Sequence, residues 1–244
     1  MNDTKNFNID DYRDSNFEEA YNLCEKKYSH EELIDMLKIG NVPQKQIAGL
    51  NFDYVNSIDD ARILISNLTG CDGKIRETIA YKINSFIENE AKTHQYFAKV
   101  SAETFAKATI DINANICRLV VNSAYILKNY VEFSQEYIHK ILQYTNESLE
   151  ELDKFIYRDK KYVINKQLFK LYWCLEAIMY FQDFIQEETL YKILEKSISQ
   201  NEYTIREKCA KIVNTSNKFP TLKEQLENDE NYYVKQIFTS SKHL

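Results

Sequence analysis

Between Gly73 and Pro220 the chain contains neither glycine nor proline, over more than half of the sequence. Those two residues are the strongest punctuation a chain carries. A sheet protein of this length needs many hairpin turns, and such turns want glycine, or Asn-Gly and Asp-Gly pairs, for positive φ. The stretch supplies none, so it predicts helices joined by short Asn, Asp and Ser corners. Ile, Asn, Lys and Tyr are plentiful, and a compositional bias toward them would also thin out glycine and proline. The helical reading therefore rests on periodicity as well. Ile75, Ile79, Ile83 and Phe86 stand on one helical stripe, as do Ile164, Leu168, Tyr172 and Leu175.

Helix starts are legible from capping chemistry. Ser15-Asn16-Phe17-Glu18 and Ser29-His30-Glu31-Glu32 have the spacing at which a hydroxyl and a carboxylate satisfy the free amides of a first turn. Gly40 marks the end of the second of these helices, and Pro43 suits the first turn of a third. Ser57 opens a helix striped by Ile58, Ala61, Ile63, Leu64 and Leu68; Thr69-Gly70 closes it, and Asp72 caps the next. Residues 57–89 thus read as two helices around a tight corner, neither able to bury its stripe alone.

That unit recurs. Ile75-Arg76-Glu77-Thr78-Ile79-Ala80 has a near copy in Ile205-Arg206-Glu207-Lys208-Cys209-Ala210. A further arginine, Arg118, follows the corner Asp111-Ile112-Asn113, and Asp229-Glu230-Asn231 ahead of Tyr233-Val234-Lys235 is a weaker echo. In the stretch 162–180, Asn165 stands where the arginine would fall. The period is roughly 40–47 residues, the two-helix range of HEAT and armadillo units. A helix, an acidic corner, and an apolar-Arg pair opening a second helix is similar to a HEAT repeat, over roughly residues 57–240. The resemblance implies an all-α, right-handed α–α superhelix of about four to five helix pairs. It also implies a structural ladder between corners in which Asp72 and Arg76, Asp111 and Arg118, and Arg206 take part; the corner before Arg206 has no clear aspartate. Residues 1–14 read as a polar N-terminus, 15–56 as capping helices and 57–244 as repeats.

Candidate chemistry is sparse. Glu136-Tyr137-Ile138-His139 is an E-x-x-H, a spacing that di-iron bundles use, but they need two such motifs and two more inward glutamates. His30, His94 and His243 have no acid three residues earlier, so a surface Glu/His pair and no metal or cofactor is expected. With 4 glycines no phosphate-cradling loop is expected either. The five cysteines, at 24, 71, 117, 174 and 209, form no C-x-x-C and read as buried, reduced thiols. The N-terminus has no apolar core, and no window holds 18 apolar residues, which predicts a soluble, cytoplasmic protein with no membrane partner. A net charge of −6 disfavours nucleic acid as partner; the lysines on second helices, Lys82, Lys128, Lys166, Lys170 and Lys211, are diluted by acids and amides.

The function expected is a non-enzymatic scaffold whose concave face, lined by the second helix of each pair, binds another protein or peptide. The alternative is an enzyme on the same fold, resembling the HEAT-like DNA glycosylases that release alkylated bases or the lyases that attach pigments; for it Trp173, the one tryptophan, and Glu176 would be the aromatic and the acid. A compact helical bundle without a groove is the third possibility. The 18 tyrosines are either a binding surface or compositional bias.

Overall fold

A computed structural model describes residues 21–154 and 161–240, and among these every regular element is helical. The helices come as pairs. First helices are α1 (His30–Ile39), α3 (Ile58–Asn67), α6 (Ala102–Thr109), α8 (Val131–Lys154), α10 (Glu187–Ile198) and α12 (Pro220–Glu227). Second helices are α2 (Val42–Asn51), α4 (Gly73–Asn89), α7 (Ala114–Ile126), α9 (Lys161–Phe181), α11 (Tyr203–Ser216) and α13 (Tyr232–Ser240). The short α5 (His94–Ala98) lies between the second and third pairs.

Each second helix packs on the next one along: α2 on α4, α4 on α7, α7 on α9, α9 on α11 and α11 on α13. The first helices contact one another as well, α1 on α3, α6 on α8, α8 on α10 and α10 on α12. The core lies between the two rows. Ile79, Ile83 and Phe86 of the predicted α4 stripe are buried, as are Ala61 and Leu64 of α3 and Leu68 at its C-cap. Aromatic side chains fill the middle, where Phe105, Phe133, Tyr137 and Phe181 touch in sequence. The Tyr137 hydroxyl is fully buried and shares a 2.8 Å hydrogen bond with Thr109 Oγ1; burial pushes this phenol well above the ordinary tyrosine range, partly offset by that bond. No helix among the described residues is long and apolar enough to cross a membrane.

The capping chemistry operates at most starts. Ser29 and Ser57 form reciprocal capping boxes with Glu32 and Asp60, and Asp72 accepts from Ile75 N at 2.9 Å. The box expected at Ser15–Glu18, and the polar segment 1–14, lie outside the described residues. The pair α1–α2, within the segment read as capping helices, packs directly on the next pair through α2 on α4. Gly40 ends α1 with extended backbone, φ −67°, rather than in the left-handed region. Glycine is needed there for space, since a Cβ would overlap the Met36 carbonyl oxygen. Gly40→Ala must shift backbone and should lower stability by about 1–3 kcal/mol, the usual cost of overpacking. A urea midpoint unchanged by Gly40→Ala would refute that reading.

His30 ties α1 to the α2–α3 connection and to the start of α3. Its ring stacks on Tyr54 with centroids 3.9 Å apart, while Nδ1 faces Asp53 Oδ1 at 2.9 Å and Nε2 faces Asp60 Oδ1 at 3.3 Å. Burial alone would raise the Asp60 carboxyl, but bonds from Asn56 N–H, His30 and Ser57 hold it below the usual carboxylate range.

Candidate functional site

In α2, α4 and α11 the fourth residue reaches the corner between the two helices of the next pair. Lys45, fourth in α2, donates from Nζ to Asn67 Oδ1 at 3.1 Å. Arg76, fourth in α4, makes a fork to Asp111, with Nε to Oδ2 at 2.7 Å and Nη2 to Oδ1 at 3.2 Å. Its remaining nitrogen, Nη1, donates back to the carbonyls of Gly70 and Cys71 in its own corner. Arg206, fourth in α11, repeats the arrangement: Nε to Asp229 Oδ2 at 2.6 Å, Nη2 to Oδ1 at 3.1 Å, and Nη1 to the carbonyls of Gln200 and Asn201. Asp111 and Asp229 each also accept from the backbone N–H two residues on, at Asn113 and Asn231. Each guanidinium therefore stitches its own corner and grips the next.

Both pairs are well buried, with side-chain exposures of 9% and 10% for Arg76 and Asp111. For each arginine the hydrogen bond to its aspartate leads in raising the pKa against the opposing effect of burial. Burial pushes Asp229 up, but bonds from Arg206 and the Asn231 amide outweigh it and hold the carboxyl low. A depressed carboxyl stabilises the fold above its unfolded pKa of about 3.9 and loses that contribution as pH falls through the lower folded value. Asp229→Asn should therefore flatten the acid limb of a stability-versus-pH curve below about pH 4, and an unaltered limb would contradict the assignment.

The five residues expected in the ladder are thus placed differently from one another. Arg76, Asp111 and Arg206 sit in paired corners, with Arg76 reaching forward to Asp111. Asp72 caps its helix through Ile75 N, and its backbone carbonyl accepts from the Arg76 N–H at 3.2 Å, while the hydrogen bonds of the Arg76 guanidinium go to Asp111, Gly70 and Cys71. Arg118 takes no part in the corner, because it is the fifth residue of α7 and points about 100° away round the helix. The fourth residue there is Cys117, whose buried thiol donates to the Asp111 carbonyl at 3.1 Å. Burial pushes that thiol up to about 12. Cys174 and Cys209 are buried too, whereas Cys24 and Cys71, expected inside, are exposed.

Arg118 instead lines a groove over the second helices. One cleft of about 620 Å³ has α7 as its floor, with Arg118, Asn122 and Tyr125, and walls from Tyr81, Asn84 and Glu88 of α4 and Trp173, Glu176 and Tyr180 of α9. A second, about 660 Å³, adjoins it through Tyr81, Arg118 and Leu119 and reaches Leu50 of α2. Tyr81 is 59% exposed and Tyr125 48%. The Tyr125 and Tyr180 rings meet at 4.7 Å. Trp173 packs edge-on against Tyr172, and its indole N–H is buried without an acceptor among the described residues.

Polar bonds fix the walls. Asn115 Nδ2 donates to Glu77 Oε1 at 3.0 Å, Asn122 Nδ2 to Asn84 Oδ1 at 3.0 Å and Glu88 Oε1 at 2.6 Å, and Ser123 Oγ to Asn84 Oδ1 at 3.1 Å. Behind Glu176, the nearly buried Lys208 donates to it and lies 4.6 Å from the Tyr172 ring centroid. Burial works against the Lys208 charge, but Glu176 and Tyr172 outweigh it and its pKa ends raised. Of these groove residues, the sequence alone points to Trp173 and Glu176 together, and to Arg118 for another role.

Glu136 and His139 are both exposed on α8. Among the described residues no group of three or more His, Cys, Asp or Glu could hold a metal ion.

No family model matches this chain, and no curated protein matches it. Among solved structures, a crystal structure of an engineered protein aligns over 87% of this chain and 94% of its own at 10% identity and a TM-score of 0.46. That likeness is too distant to assign a fold or a function.

Proposed function

We propose that this chain is a HEAT-like, right-handed α–α superhelix that works as a non-enzymatic scaffold, holding a segment of another protein in the groove over its second helices. The observation that carries the reading is the groove itself: exposed Tyr81 of α4 and Tyr125 of α7 line one cleft, whose α4 wall and α7 floor are joined by the Asn84–Asn122 bond. Rigid aromatic side chains offer large contact area at low entropy cost. A duplex-binding enzyme finds less support. Lys128 is paired with Asp183 at 2.8 Å and Lys211 with Glu207 at 2.6 Å. Phosphate binding needs free cations on one face.

The test is a comparative pull-down from the native host. Tyr81→Asp with Tyr125→Asp changes exposed side chains and should leave the urea midpoint within about 0.5 kcal/mol of the parent. A protein retained by the parent chain and lost from the variant is the expected result. Identical retained sets would exclude the groove as the binding surface.

A further inference from the structure

The two ends of the groove differ in charge. At the end nearer α2, Lys74 and Arg118 are exposed. The one hydrogen bond of Arg118 among the described residues is to Asn115 Oδ1 at 3.3 Å, which leaves most of its guanidinium fork unused. The carboxylate nearby, Glu77, is held by the neutral amide of Asn115 and offsets one of these two cations. At the other end the acids are Glu88 and Glu176. Glu176 is answered by Lys208, while Glu88 is exposed and bonded only to the neutral amide of Asn122 among the described residues. One end thus carries a net positive charge, from Lys74 and Arg118 against Glu77, and the other a net negative charge from Glu88, with Tyr81, Leu119 and Tyr125 between them.

We infer that the groove selects an extended peptide segment with an acidic residue and a basic residue four to five positions apart and an apolar or aromatic residue between them. This rests on the groove being a peptide-binding surface, as proposed above. The spacing follows from helix register. The bonds Glu77–Asn115 and Asn84–Asn122 align α4 and α7 in the same direction and set Arg118 level with Ala80, eight residues before Glu88. Eight residues rise about 12 Å, and one helix spacing across adds about 9 Å. Arg118 and Glu88 therefore stand about 15 Å apart, the span of four to five extended residues at about 3.3 Å each. The acid meets Arg118 and Lys74, and the base meets Glu88. A uniformly acidic or uniformly basic segment, nucleic acid included, would set like charge against one end.

The test uses the full chain and a phage-displayed library of random dodecapeptides. Selected peptides are synthesised and titrated while the fluorescence of Trp173, the one tryptophan, is followed. The expected result is enrichment of an acid and a base at a separation of four to five, with replacement of either by alanine weakening binding about threefold or more, as exposed ion pairs allow. Arg118→Glu combined with Glu88→Lys should then prefer the same peptide with its two charges exchanged. Peptides that perturb Trp173 but show no acid–base spacing, and bind the charge-exchanged chain equally well, would overturn this inference and leave the groove reading standing. No enrichment, or binding indifferent to Tyr81→Asp with Tyr125→Asp, would overturn both.

Discussion

Arg76→Ala is expected to cost about 3–5 kcal/mol of folding free energy, the range for removing one partner of a buried, hydrogen-bonded ion pair. The side chain makes four hydrogen bonds, two to the Asp111 carboxylate and two to backbone carbonyls. Truncation leaves Asp111, whose side chain is 10% exposed, as an uncompensated charge. It also removes the donor to the Gly70 and Cys71 carbonyls in the α3–α4 corner. Arg76→Lys should recover little, because an ammonium cannot fork onto a carboxylate and reach two carbonyls at once. Arg206→Ala should behave like Arg76→Ala, since its contacts repeat atom for atom at Asp229. Arg118→Ala should cost under about 0.5 kcal/mol as an exposed change. Urea melts of the four variants decide the matter, and equal shifts for Arg76→Ala and Arg118→Ala would refute the forward-reaching rungs.

Lys208→Met should cost a similar amount, about 3–5 kcal/mol, for the same reason. Lys208 is 6% exposed, and its ammonium is what answers Glu176 at the base of the groove. Its aliphatic stem packs among the second helices, so methionine keeps the volume and removes the charge. Lys208→Met with Glu176→Leu removes both charges, and such replacements of buried pairs are often neutral or stabilising by about 1–4 kcal/mol. The double variant should then regain most of the loss, and the coupling measured by the cycle reports the pair. A double variant as unstable as the sum of the singles would mean that the two residues do not act together.

The helical architecture was legible in the sequence because its signals are local. The absence of glycine and proline between Gly73 and Pro220, the stripes of α3, α4 and α9, and the caps at Ser29, Ser57 and Asp72 all act within one or two turns. The importance of Arg76 and Arg206 was also legible, from the repeated Ile-Arg-Glu. Their partners were not. Each arginine grips the corner of the following pair, at a separation of 35 residues for Asp111 and 23 for Asp229. The pairing therefore depends on the unequal lengths of the elements between, which no local pattern encodes. Arg118 misled because the motif was aligned by residue type. The turn after Asp111 carries one residue more before its arginine, so Cys117 takes the fourth helical place. The groove was hidden for another reason. Tyr81, Tyr125 and Tyr180 sit among 18 tyrosines, and only the packing of α4, α7 and α9 separates those facing one cleft from those filling the core.

Small-angle scattering from the full chain tests most directly whether the helix pairs stack in one row, on which the rungs and the groove both depend. A compact protein of this length has a radius of gyration of about 18 Å. The row predicts a value clearly above that, with a pair-distance distribution skewed to long distances. A symmetric distribution at about 18 Å would contradict the stack and describe a compact helical bundle with no groove.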